Sequence, residues 1–184
     1  MSIKKLMSIK KNNKGFTLIE LLAVIVILGV LMIIAVPMVT KYIKQAKQDA
    51  FVDTAKAYIN SARYGYLNGD YTNPEDPKGN CDTLDSGTGG TIYIKFRYIE
   101  VDKTGGKSSF NKTIEQDKSY VKIKSTENGQ YIYSVYMIDD GGNAINETEE
   151  KNLTRTSVVT NGTSNIVPAS ACKHDTYDYL PKQS

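Results

Sequence analysis

Glu20 stands one residue before an uncharged run of nineteen residues, 21–39. A helix of about 20 apolar residues, at 1.5 Å rise each, spans a bilayer. An ionised carboxylate at the edge of such a run is costly to desolvate unless a cation pairs with it. No Lys or Arg lies between Phe16 and Thr40, so the sequence offers Glu20 no intramolecular partner nearby. Five lysines (Lys4, Lys5, Lys10, Lys11, Lys14) and no acid precede Gly15. An ordinary secretory signal is cut after its apolar region, at a small residue. Here the small residue comes before that region. A cut after Gly15 leaves the apolar helix on the mature chain and creates an α-amine on Phe16, one helical turn from Glu20.

Other residues able to do chemistry are sparse. His174 is the only histidine and sits between Lys173 and Asp175, as a solvated tail residue would. With Cys81 and Cys172 far apart, zinc-ligand spacing and Cys/His catalysis are both missing. The glycine clusters lack the Lys-Ser/Thr that completes a phosphate loop. Asp139-Asp140-Gly141-Gly142-Asn143, with Glu147 and Glu150, has the composition of a calcium loop. Gly141 stands where the third-position ligand belongs and Ala144 where the turn glycine belongs, so a plain turn is the better reading. Asn111, Asn146, Asn152 and Asn161 each open an Asn-x-Thr triplet, common by chance in an Asn/Thr-rich chain. Lys118, Lys122 and Lys124 lie close together beside Tyr120, but the solvated face of a strand accounts for them better than a nucleic-acid surface does. No cofactor, metal site or catalytic residue is expected.

The elements that position these groups follow from periodicity. From Lys41 to about Leu67 the apolar positions Ile43, Ala46, Ala50, Phe51, Ala55, Tyr58, Ile59 and Ala62 recur at three- and four-residue spacing. The helix therefore continues past the membrane run for about 50 residues, apolar all round at first and amphipathic later. Pro37 predicts a kink rather than an end, Gly29 is a second place for local loosening, and Gly65 with Asn68-Gly69-Asp70 supplies the stop. Residues 68–90 read as an αβ loop rich in Pro, Gly and Ser. Strands are expected at 91–101, 119–126 and 130–138, with a weaker one at 156–160; Asn128-Gly129 is a hairpin signal. Residues 161–184 read as a loop-like tail. The predicted class is α+β, a long N-terminal helix packed on a C-terminal antiparallel sheet, because the sheet's apolar face needs a cover and the amphipathic helix half is the available one. The segments are 1–15 (lysine-rich leader), 16–39 (membrane half), 40–67 (amphipathic half), 68–90 (αβ loop), 91–160 (sheet) and 161–184 (tail).

The formal charge of +3 belongs to the leader. With its five lysines removed from 23 basic residues, 18 remain against 20 acidic ones, so the rest is near −2. The leader lysines hold the N-terminus in the cytoplasm and imply no polyanion partner. Met1-Ser2-Ile3-Lys4-Lys5 recurs as Met7-Ser8-Ile9-Lys10-Lys11, so Met7 is an alternative start that leaves the cut unchanged. Topology puts Cys81 and Cys172 on the oxidising side, where a bridge between them is expected, two free thiols being the alternative. Closing about 90 residues would contribute on the order of 4 kcal/mol in the chain-entropy model.

Gly15-Phe16-Thr17-Leu18-Ile19-Glu20-Leu21-Leu22, with Glu20 fifth from the cut and Pro37 at position twenty-two counted from Phe16, resembles the class III leader of type IV prepilins and pseudopilins. The resemblance implies cleavage after Gly15 by a membrane prepilin peptidase that also methylates the Phe16 nitrogen. It implies assembly by the pilus machinery into a homopolymer, with Phe16 and Glu20 as the assembly pair and residues 21–39 as the filament core. The precursor would lie in the cytoplasmic membrane and the product in a cell-surface fibre serving motility, adhesion or biofilm growth. A pseudopilin of a type II secretion or DNA-uptake system, where a structural calcium is common, is the alternative implied by the same motif. A membrane-tethered enzyme has no support in the residues.

Overall fold

A computed structural model describes residues 15–73, 76–80, 90–101, 106–162 and 173–174. Helix α1, Leu18–Asn68, is a single run of 51 residues. Its residues belong to two compact units, one ending at Tyr42 and one beginning at Ile43. In the first, every described side chain is exposed. The helix runs unbroken through Pro37, which lacks the N–H that would bond back along the axis. One turn on, the Thr40 hydroxyl donates to the carbonyls of Val36 (3.2 Å) and Pro37 (3.0 Å).

In the second unit the packed face of α1 is Phe51, Val52, Ala55, Tyr58, Ile59 and Ala62. Ile43, Ala46 and Ala50, expected on that face, are exposed. The periodic pattern therefore starts two turns before the contact does. The face packs against a five-stranded antiparallel sheet of β3 (Thr91–Lys95), β4 (Tyr120–Ser125), β5 (Tyr131–Ile138), β6 (Asn143–Glu149) and β7 (Val158–Thr160), each neighbouring the next in sequence. Alternation sends Ile92, Ile94, Val121, Ile123, Val135, Met137 and Ile145 to the helix side. Tyr58 stacks on Phe96 at 3.7 Å between ring centroids, and Phe51 meets Phe110 edge-on at 5.6 Å. Tyr120, Tyr136, Ile138 and Ala144 form a second buried cluster on the opposite face.

The expected strand at 91–101 is shorter, because the chain tightens into a 3-10 turn at Phe96–Tyr98 that still buries Phe96. The β4–β5 connection closes at Thr126 and Gln130, with Gly129 at φ 73°. Strand β6 was not apparent in the sequence: Asn-Ala-Ile-Asn-Glu-Thr-Glu has weak β propensity and reads as the end of a glycine-rich turn. The stretch read as αβ loop holds two short strands, β1 (Tyr71–Asn73) and β2 (Asp76–Asn80). These form a second sheet with β8 (Lys173–His174), from the stretch read as tail.

Candidate functional site

The N-terminal junction is built by a local hydrogen-bond ring. Thr17 precedes the first helical residue, and its carbonyl accepts the Leu21 amide at 3.2 Å. Its amide and its hydroxyl both donate to Glu20 Oε2, each at 2.8 Å. The Glu20 amide donates back to the Thr17 hydroxyl at 3.2 Å. This is a capping box, which satisfies two of the helix's orphan amides reciprocally.

The expectation that Glu20 lacks an intramolecular partner is thereby corrected. The partner is polar rather than charged, and Thr-x-x-Glu ahead of an apolar run is the signal that marks it. Both donors go to Oε2. A second copy's amine could therefore use Oε1 without breaking the cap.

Phe16 is 91% exposed. A Cβ built on Gly15 would meet nothing within 4 Å, so no packing among the described residues demands glycine there. From residue 18 to residue 39 α1 is long and apolar enough to cross a membrane. Gly15, Phe16 and Glu20 thus lie together at the start of an unpacked apolar helix. Cys81 and Cys172 lie outside the described residues. Their neighbours Asn80 and Lys173 both pair with Thr72, from its two sides.

The remaining sequence candidates are occupied. Asp139 is 2% exposed, and its carboxylate accepts the amides of Gly141 and Asn143 (both 2.9 Å), the Ser108 hydroxyl (2.7 Å) and the Asn143 side-chain amide. Asp140 accepts the Thr113 amide at 3.1 Å. Glu147 is taken by Lys122 and by the Tyr120 hydroxyl (2.8 Å), and Glu150 by Arg63. The loop's acids are therefore dispersed onto protein donors, and no cluster of three metal-ligating side chains occurs among the described residues.

Lys118 pairs with Glu115 at 3.4 Å. The Glu147 hydrogen bond raises the Lys122 pKa. Two of the three lysines beside Tyr120 are thus neutralised locally. Two further ion pairs tie α1 to the sheet domain. Arg155 forks onto Asp49, through Nε at 2.7 Å and through Nη2, and this holds the Asp49 carboxyl below its usual range. Arg63 pairs with Glu150 and lies over the Tyr133 ring at 4.4 Å.

Residues 10–36 match the prokaryotic N-terminal methylation motif. No curated protein and no solved structure matches the chain. The matched stretch is the class III leader of type IV pilins and pseudopilins. Together with the apolar helix it marks a membrane-anchored precursor of the pilin type.

Proposed function

We propose that the chain is a type IV pilin: a membrane precursor cut after Gly15, N-methylated at Phe16 and polymerised through its N-terminal helix into an extracellular filament. The single observation that carries this is the coincidence, at one helix start, of an exposed Gly15-Phe16 junction, Glu20 and an apolar helix half that packs on nothing among the described residues. Apolar side chains exposed to this extent need lipid or other copies around them. The open space around Gly15 supports an external demand for glycine, as a peptidase subsite makes. After the cut, the Phe16 amine keeps its charge when methylated, so it can pair with Glu20 of a neighbour while Thr17 holds the other carboxylate oxygen.

Motility, adhesion and biofilm growth are the roles such fibres serve. The internally saturated Asp139 loop favours a pilin over a calcium-bearing secretion pseudopilin. A Cys81–Cys172 bridge is part of the proposal. What supports it is that their chain neighbours Asn80 and Lys173 flank Thr72 in one three-stranded sheet. Mass spectrometry of the shed protein should find N-methylphenylalanine at Phe16. A mature chain still starting at Met1 or Met7 would sink the proposal.

A further inference from the structure

Helix α1 carries a basic belt and, farther along, lines an acidic cleft. Between Glu20 and Asp49 the only charged side chains are Lys41, Lys44 and Lys47. Lys44 and Lys47 are exposed and enter none of the ion pairs among the described residues. At the other end, the last turns of α1 and the segment after the Phe96–Tyr98 turn enclose an open cleft of about 210 Å³. Its walls include Tyr64, Asp70, Tyr98 and Glu100. Neither carboxylate has an ion pair among the described residues, and no Lys or Arg lines the cleft. Ser61 and Asn68 also line it, and Tyr64 in its wall and Leu67, next to Asn68 in the chain, are 67% and 65% exposed.

Two unneutralised carboxylates beside phenol rings suit an ammonium group. The carboxylates supply charge and acceptors, the ring faces attract a cation, and exposed Tyr64 covers a methylene stem. Lys44 and Tyr64 are twenty residues apart on one helix, about 30 Å at 1.5 Å per residue. No copy can therefore place its own belt in its own cleft. A second copy displaced by about that distance can. Such a contact is heterologous, each copy offering its belt to one neighbour and its cleft to another, so it propagates instead of closing.

We infer that the Tyr64–Asp70–Glu100 cleft receives Lys44 or Lys47 of a second copy of this chain, an inference that rests on the filament reading above. The test uses the full chain made with its assembly machinery and treated with a zero-length carbodiimide. An amide between Lys44 or Lys47 and Asp70 or Glu100 is expected, and because both lysines lie about 26–30 Å along α1 from Tyr64 in the cleft wall, it can only join two copies. Asp70→Lys/Glu100→Lys and Lys44→Glu/Lys47→Glu should each lower the fibre-borne fraction about tenfold, the combination recovering most of it.

Several results would overturn the inference. One is fibres at parental levels from either pair. Another is no recovery in the combination, although every chain is cut at Gly15 and melts like the parent. Weaker membrane retention of Lys44→Glu/Lys47→Glu, with Asp70→Lys/Glu100→Lys fibres unchanged, would assign the belt to lipid phosphates instead. A chain found uncut sinks the filament reading and this inference with it. A cut, fibre-forming chain without the cross-link sinks the inference alone.

Discussion

Glu20→Gln separates the helix cap seen at this residue from the pairing proposed for it. A glutamine at the third helical position still accepts the Thr17 amide and hydroxyl, so the capping box survives. What the substitution removes is the charge. If the only task is to start the helix, the variant should assemble like the parent. If Glu20 also faces a neighbour's amine away from water, the neighbour is left with an unpaired cation, at a cost of about 3–5 kcal/mol. That corresponds to roughly 150- to 5,000-fold at each subunit contact. Thr17→Val makes the opposite cut: it keeps the charge and loses the hydroxyl cap, costing about 1 kcal/mol or roughly fivefold. Glu20→Ala loses both. The expected order of sheared fibre is therefore parent, Thr17→Val, then Glu20→Gln with Glu20→Ala at the bottom. Fibre is scored against cell-bound protein, and the N-terminal peptide mass confirms that every variant is cut. Glu20→Gln fibres as abundant as those of Thr17→Val would refute the pairing and leave Glu20 a helix cap.

Other expectations concern the domain. Phe51→Ala empties a fully buried site that also holds Phe110 edge-on, and should cost about 3–5 kcal/mol in denaturant melting while cleavage at Gly15 continues. Because Arg155 depresses the Asp49 pKa, their pair stabilises above the ordinary aspartate value of about 3.9 and fades as pH falls through the lowered folded value. Melting temperature against pH should show that acid limb in the parent, and Arg155→Met should flatten it. Lys122, raised by Glu147, has the opposite sign: its contribution is whole below about pH 10.4 and is lost at higher pH, a limb that Glu147→Gln should remove. Cys81→Ser/Cys172→Ser should lower stability by about 2–4 kcal/mol with the N-terminus still processed. Identical masses under reducing and non-reducing conditions, after thiol alkylation, would refute the bridge.

What was legible in the sequence were the features with a strong period or an unusual junction. Helix α1 could be read because apolar spacing persists from the membrane run into the amphipathic half, and its end falls within a residue of the Asn68-Gly69 stop. Strands β4 and β5 could be read from their β-branched and aromatic alternation. Strand β6 could not, because its pairing with β5 and β7 is imposed by neighbours on residues that prefer loops. Strands β1, β2 and β8 are two to five residues long and owe their existence to partners about 100 residues away in the case of β8, a relation no local window contains. At the N-terminus, Gly15, Phe16 and Glu20 stood out by spacing. Thr17 did not stand out, because the two donors it gives the carboxylate are neutral and only a cation is conspicuous beside an apolar run. Ala46 and Ala50 show the limit of periodicity, which says which side of a helix is apolar and not how far along it the sheet reaches.

The five-stranded sheet is a meander in which each strand finds its partner next along the chain. Contacts so local close small loops and form quickly. The β1–β8 ladder differs, since Thr72 must meet Lys173 across about 100 residues. Loop-closure entropy therefore places that ladder last, after the meander has shortened the effective distance. In a chain synthesised from its N-terminus, the sheet can be complete before the final strand docks. Were the proposed Cys81–Cys172 bridge to form, its oxidation would act as a latch on a made structure rather than a guide to its making.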